Sequence, residues 1–394
     1  MSTSMLADLQ AGAAPFVALR HDLHRHPELG LQEVRTSALL AAQLEGWGYT
    51  VTRGLASTGL VAQLVRGTGS QRLGIRADMD ALPIHEANTF AHRSVHDGVM
   101  HACGHDGHTA MLMAAAQYIA KEIEFSGTLN LIFQPAEEHP GGARLMIGQG
   151  LFEKFPCDAV FAMHNMPSIP AGQLVFMEGP AMASSDDVTI TLTGVGGHGA
   201  MPHRAQDPVV AAAAIVMALQ TIVSRNVDPQ QTAVITVGSL VAGQANNVIP
   251  ASARLELSVR SLDREVRDLL QARITALASA QAESFGLQAR VDYKRDYPVL
   301  VNTPHETEFA RQVATELVGE ARVTRQGRAL TGSEDFAFML EHCPGSYLLI
   351  GNGAGEDQAQ HACMVHNPGY DFNDDILPVG AAFWTLLTQR YLKD

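Results

Sequence analysis

The chain has 394 residues, more than one ordinary domain of about 100 to 200, so two domains or one large domain with an insertion is expected. With 46% hydrophobic and 17% charged residues it is a globular chain, which excludes disorder or a coiled coil as its main state. The net charge of −14, with Lys and Arg scattered, leaves no basic stripe for a phosphate backbone, so no nucleic-acid partner is expected.

In chain order, Phe16 to Gly48 reads as helix broken at His26-Pro27-Glu28, with Leu19, Leu23, Leu39, Leu40 and Leu44 on recurring faces. Apolar runs at Gly59 to Val65, Arg72 to Ala77, Thr128 to Phe133, Ala159 to Met163 and Ser346 to Ile350 read as buried strands. Helical patterns lie between and after them, at Thr109 to Ile123, Glu306 to Val318, Glu334 to Leu340 and Val379 to Tyr391. Strands alternating with helices predict an α/β fold with a mostly parallel sheet and flanking helices. The middle of the chain breaks this rhythm. Val188 to Gly194 (strand), Pro208 to Ser224 (helix), Ala233 to Leu240 and Ala253 to Arg260 (strands), Asp263 to Phe285 (helix) and Gln288 to Tyr293 (strand) give a ferredoxin-like β-α-β-β-α-β order. The expected organisation is therefore a discontinuous domain of residues 1–183 and 298–394, with residues 184–297 inserted.

The longest apolar candidate for a spanning helix, Val209 to Leu219, falls short of the ~18 residues required, so no membrane association is expected. The opening residues carry Asp8 and no basic segment, which speaks against a signal peptide. Cys103, Cys157, Cys343 and Cys363 form no C-x-x-C pair, so a disulfide scaffold is not expected and a cytoplasmic location is.

The first-domain strands end in potential ligands. Arg72 to Ala77 runs into Asp78-Met79-Asp80, Thr128 to Phe133 into Gln134-Pro135-Ala136-Glu137-Glu138, and Ala159 to Met163 into His164-Asn165. Ligands of open parallel sheets bind beyond the carboxyl ends of the strands, so these groups should converge. His101-Ala102-Cys103-Gly104-His105-Asp106-Gly107-His108 precedes the helix expected from Thr109, and His366-Asn367-Pro368-Gly369-Tyr370-Asp371 forms a loop ahead of the last helix. Cys, His and Glu together suit Zn and also admit Mn, Co or Ni. Two adjacent divalent metals would need about five protein ligands with one shared, and the supply here is sufficient. From an extended stretch Glu137 and Glu138 would point apart, one ligating and the other serving as a base.

The strings RADMDALP (76–83), HACGHDGHT (101–109), QPAEE (134–138), GGHGAMPH (196–203), GSEDF (332–336) and HNPGY (366–370) resemble the aminoacylase and carboxypeptidase-type metallopeptidases. More narrowly they resemble the branch of hippurate hydrolases and indole-acetyl-amino-acid hydrolases. The similarity spans nearly the whole chain in the same order. It implies a di-zinc exopeptidase-like catalytic domain and an inserted lid and dimerisation domain, hence a homodimer. Cys103 is similar to the ligand shared by two metals, and His105, Glu138, His164 and His366 to the remaining ligands. Glu137 is similar to the general base, and His198 to a lid histidine that polarises the scissile carbonyl, often across the dimer. Asn247 and Arg260 are similar to groups that grip the substrate carboxylate. The wider family has His-x-Asp where this chain has Asp78-Met79-Asp80, so Asp78 and Asp80 are read as orienting ligands from outside the metals' coordination spheres. The implied reaction is hydrolysis of the amide of a small N-acyl amino acid by a water bridging two metals, with carboxypeptidase or dipeptidase action on short peptides as the alternative.

Blander readings exist for each group. Cys103 alone would be a buried thiol, or a nucleophile paired with His105, which would leave Glu137 and Glu138 without a use. The two glutamates could form a solvated turn, His164 could be a core histidine, and Arg260 a surface charge. A catalytically silent metal binder would not need the base Glu137 beside five ligands.

Overall fold

The computed structural model describes residues 2–354 and 361–393. The chain divides into two compact units. The larger comprises Met1–Gly179, Val301–Arg328 and Asp335–Asp394. Its eight-stranded sheet runs in the order Thr50–Leu55, Gly59–Arg66, Gly127–Gln134, Arg72–Asp78, Ala159–Pro167, Gly345–Gly353, Leu174–Val175 and Val323–Thr324. The centre is parallel: Arg72–Asp78 pairs in parallel with both neighbours, as Ala159–Pro167 does with Gly345–Gly353. The two strands at one edge join antiparallel, as their short connection requires. Leu73, Ile75, Leu129, Leu131, Ala159 and Phe161 are fully buried, as expected of a sheet covered on both faces. The helix His105–Glu122 is buried along most of its length, and Leu377–Tyr391 packs beside it in the same core.

The second unit comprises Pro180–Leu300 and Ala329–Glu334. Its antiparallel sheet has the order Ala233–Ala242, Ser252–Ser261, Ser184–Thr193 and Gln288–Arg295. Along Ser252–Ser261 burial alternates strictly at first: Ala253, Leu255, Leu257 and Val259 face a core with Ile215, Leu219, Leu270 and Ile274 of the helices Pro208–Arg225 and Arg264–Ser284. Asp207 and Asp263 start these helices by accepting from the amides of Val209 (2.8 Å) and Val266 (2.9 Å).

Several elements differ from expectation. The helix Ser2–Ala11 and the strand Thr50–Leu55 were not foreseen, because neither has a clear apolar period. The helix expected from Thr109 starts at His105, since Gly104 takes a left-handed conformation that turns the chain directly into it. The strand expected to stop at Met163 runs on to Pro167, because Gly345–Gly353 continues to pair with it through Leu349–His164 and Ile350–Asn165. The helix expected over Pro208 to Ser224 ends one residue later, but its apolar window is longer than the run Val209 to Leu219. Pro208–Arg225 has 18 residues and a mean hydropathy of 1.6, long and apolar enough by length and composition to cross a membrane, with only a third of it buried. Its exposed positions include Val209, Val210 and Met217.

Candidate functional site

The site residues of the larger unit are delivered by four different backbone devices. Cys103 ends a loop whose next residue, Gly104, has φ +95°; a Cβ there would stand 2.2 Å from Asn165 Nδ2 and 2.5 Å from the Tyr370 hydroxyl. His105 and His108 occupy the first helical turn, and Gly107 between them lets the Phe372 ring approach to where a Cβ would be, 2.3 Å away. His164 comes from the strand Ala159–Pro167. His366, at φ +64°, is tied by its amide to the Ala102 carbonyl at 2.7 Å, which places this distant loop beside Cys103.

Glu137 and Glu138 do not diverge as an extended stretch would require. Residues 137–140 form a turn entered through Ala136 at φ +53°, and carboxylate oxygens of both glutamates come within 4.8 Å of each other and of a His105 ring nitrogen. Glu33, fully buried, holds this turn: it accepts from the Ala136 amide at 2.9 Å and from the Thr58 hydroxyl at 2.5 Å.

Among the described residues five groups of three potential ligands form, each with its donor atoms mutually within 4.8 Å: Asp78, His105 and His108; His105, Glu137 and Glu138; Glu137, Glu334 and Asp335; and two that share a sulfur, Cys103, His105 and His164, and Cys103, Glu138 and His366. Cys103 belongs to the last two. Its Sγ lies 3.3 Å from His164 Nε2, and His366 Nε2 lies 3.0 Å from Glu138 Oε1. The His164 Nδ1–H donates to the Asn165 carbonyl at 2.6 Å, leaving the Nε2 lone pair facing Cys103. Burial, reinforced by His108, holds His164 well below the usual imidazole range, so the ring is neutral. His105 Nδ1–H donates to Asp80 at 3.2 Å. Burial would lower this imidazole, but Asp78 and Asp80 outweigh it and push its value up to about 10. Burial, then the charges of Glu138, Glu137 and Asp78, drive the Cys103 thiol well up. The chain alone thus builds a strongly negative pocket.

Asp78 and Asp80 both face histidines. Asp78 accepts from His108 Nδ1 at 2.6 Å and from Arg76 Nη1 at 2.7 Å. Burial opposes its charge, but His105, Arg76 and His108 hold it well below the usual carboxylate range. Asp80 also accepts the Glu138 amide at 3.0 Å, joining the histidine and glutamate segments.

The donor set passes an independent test for a divalent cation. Two buried atoms, His105 Nε2 and Glu138 Oε1, have no partner of hydrogen-bonding geometry among the described residues. Buried polar atoms left so are costly, and a divalent ion would take both as donors once it displaces the His105 Nε2 proton. One thiolate, three imidazoles and a carboxylate match the ligand chemistry of Zn and admit Mn, Co or Ni.

In the second unit His198 and Asn247 come together. His198 pairs with Val248 across two short strands, and the Gly199 amide donates to the Asn247 carbonyl at 2.8 Å. His198 is exposed; its Nδ1 accepts the Ala200 amide at 3.1 Å, so the neutral ring carries its proton on Nε2, as a donor. Arg260 is not with them. It lies eight residues along the strand from Ser252, roughly 26 Å at 3.3 Å per residue, and donates to Ser333 Oγ at 2.9 Å and Ser258 Oγ at 3.3 Å. Asn247 precedes this strand and lies beside His198, whereas Arg260 is near the strand's far end.

Sequence reasoning missed Glu33, His108, Asn165 and Tyr370 as members of this network. His108 and Asn165 sit inside strings already singled out, but their neighbours drew the attention; Glu33 has no motif or spacing that points to residue 136.

Over residues 74–390 the chain matches the profile of peptidase family M20/M25/M40. It is 42% identical to the hippurate hydrolase of Campylobacter jejuni over 388 residues, which cover 98% of each chain. It is 36% identical to the N-acetyl-L-cysteine deacetylase of Bacillus subtilis, over 96% of this chain and 88% of that one. Among solved structures, the YXEP protein of Bacillus subtilis, a dinuclear metal binding peptidase from the M20 family, is similar with a TM-score of 0.83 and 32% identity, over 97% of this chain and 99% of that one.

Proposed function

The chain belongs to peptidase family M20/M25/M40 and is a metal-dependent amidohydrolase of N-acyl amino acids, and we propose that it works through Glu137, with Cys103, His105, Glu138, His164 and His366 holding two divalent ions. The observation that carries this reading is the Cys103 sulfur common to two ligand groups, with a neutral His164 in one and Glu138 and His366 in the other. When bound, two such ions would acidify a water and polarise the acyl oxygen.

Glu137, buried beside His105 and Glu138, takes the proton of the attacking water and returns it to the leaving nitrogen. Asp80 keeps His105 turned with Nε2 inward, and the Asn165 carbonyl does the same for His164. His198 donates from Nε2 to the acyl oxygen as it gains charge; loss of one such donor typically costs about 10²- to 10³-fold in rate. Asn247 and Arg260 bind the substrate carboxylate. Because Asn247 precedes the strand Ser252–Ser261 and Arg260 lies near its far end, we assign them to different protomers of a homodimer.

The second copy is also supported by the second unit's surface. The strand Ala233–Ala242 is an outer strand of its sheet and exposes Leu240 and Val241, while Pro208–Arg225 exposes Val209, Val210 and Met217. We place the protein in the cytoplasm, a reading supported by its four free cysteines.

The test compares wild type and Glu137→Ala on hippurate, N-acetyl amino acids and dipeptides, with Zn, Mn, Co or Ni supplied. The variant should keep its bound metal and lose turnover by about 10²- to 10⁴-fold. Undiminished hydrolysis would refute the role of Glu137, and faster cleavage of dipeptides than of acyl amino acids would refute the substrate class.

A further inference from the structure

Asn165 is fully buried in the middle of the strand Ala159–Pro167, and each of its four polar groups is engaged. Its amide N–H donates to His108 Nε2 at 3.0 Å, and its carbonyl accepts from His164 Nδ1 at 2.6 Å. Its side-chain Nδ2 donates to the Cys103 carbonyl at 2.7 Å, while Oδ1 accepts from the Tyr370 hydroxyl at 2.7 Å. This orientation of the amide is forced: flipped, it would set an oxygen against the Cys103 carbonyl, an acceptor only. Tyr370, also fully buried, closes the turn that begins at His366, with its amide bonded to the Asn367 carbonyl at 2.9 Å. The Asn88 side chain fixes the other end of the same residue by donating to the Tyr370 carbonyl at 2.8 Å.

The consequence lies in what these bonds connect. Cys103 stands on a loop whose following residue is left-handed, and His366 is itself at positive φ with its side chain half exposed. Neither residue is held by regular secondary structure, yet both supply atoms to the Cys103, Glu138 and His366 group. The continuous link Cys103 O, Asn165 side chain, Tyr370 hydroxyl crosses from one loop to the other through a sheet strand. Gly104 shows how closely it is fitted, since any Cβ there would strike both Asn165 Nδ2 and the Tyr370 hydroxyl.

We propose that Asn165 and Tyr370 are positioning residues that set the Cys103 to His366 separation, and thereby the affinity for the ion held by Cys103, Glu138 and His366. The inference rests on Cys103 and His366 being ligands. His164 is held independently, by its strand and by the Asn165 backbone carbonyl, which side-chain substitution leaves in place. The Cys103, His105 and His164 group should therefore feel the loss of the Tyr370 hydroxyl much less.

The metal-loaded protein is titrated with a competing chelator, and the ions retained are counted by plasma mass spectrometry. In Tyr370→Phe one of the two ions should leave at 10- to 100-fold lower chelator concentration, the usual effect of losing a group that supports a ligand, while the other follows wild type. Asn165→Asp keeps the acceptor for Tyr370 but faces a carboxylate oxygen against the Cys103 carbonyl, so both ions should weaken. A Tyr370→Phe curve superimposable on wild type would overturn the link. Equal weakening of both ions in Tyr370→Phe, together with a lower melting temperature of the stripped protein, would also overturn it, because that marks general loosening. A wild type that retains fewer than two ions would refute the ligand assignment itself and the link with it.

Discussion

Glu33 offers a sharp test of how the Glu137–Glu138 turn is built. Its carboxylate is fully buried between the Thr58 hydroxyl and the Ala136 amide. Burial raises its value most; the bonds from Thr58 and the backbone pull it down, the nearby charge of Asp80 pushes it up, and the result is a shift from 4.5 to about 7. The folded chain thus holds a proton that the unfolded chain has released between these values. Stability must then fall as pH rises through that window and stay lower above it. At about 1.4 kcal/mol per pH unit, the loss between pH 5 and pH 8 is about 2 to 3 kcal/mol.

Glu33→Gln removes the titration while preserving the contacts. The amide oxygen can accept from Ala136 and the NH₂ can donate to Thr58 Oγ1, so no buried polar group is stranded. Urea unfolding of both metal-stripped proteins at pH 5 and pH 8 isolates the effect, because all other titrating groups are common to the pair. The variant should gain about 2 to 3 kcal/mol on wild type over that interval. A difference that stays constant from pH 5 to pH 8 would refute the reasoning.

Two other perturbations test the rest of the architecture. Arg20, fully buried, donates to Asp106 at 2.9 Å and Asp371 at 2.8 Å; Arg20→Met leaves the buried Asp106 carboxylate with His24 as its remaining partner and should cost about 3 to 5 kcal/mol in denaturant unfolding, so a loss under about 1 kcal/mol would contradict it. Met217→Glu places a charge among the exposed apolar positions of Pro208–Arg225 and tests the proposed homodimer: sedimentation velocity should give a dimer for wild type and a monomer for the variant, a dimeric variant would move the interface elsewhere, and a monomeric wild type would refute the pairing.

The α/β architecture with its mostly parallel central sheet was legible because strands such as Ala159 to Met163 are continuous apolar runs that no amphipathic surface helix would contain. The potential ligands were legible as well, since Cys, His and Glu at strand ends have few other uses there. What the sequence did not reveal was conformation at single residues. Ala136 and His366 adopt positive φ without being glycine; the Asn367-Pro368-Gly369 sequence announced a turn but not the conformation of His366 itself, and nothing marked Ala136. The expectation that Glu137 and Glu138 point apart failed for this reason: alternation describes a strand, and the strand ends at Gln134.

These two strained residues explain why so many polar groups surround the site. A non-glycine residue at positive φ persists only where its surroundings over-determine it. Ala136 is fixed by Glu33, with Gly30 so close that a Cβ there would stand 2.9 Å from the Ala136 Cβ. His366 is fixed by the Ala102 carbonyl on one side and by the turn that Tyr370 anchors on the other. By contrast His105 and His164, on a helix and a strand, each need only a single acceptor to set the ring, Asp80 and the Asn165 carbonyl. Glu33 and Tyr370 lie 103 and 205 residues from the partners they hold, at separations that local sequence patterns do not register. Stiff elements thus carry the potential ligands that need little support, and the loops carry those whose placement depends on buried, sequence-distant hydrogen bonds. Substitution of those distant partners should therefore perturb the Cys103, Glu138 and His366 group before it perturbs the Cys103, His105 and His164 group.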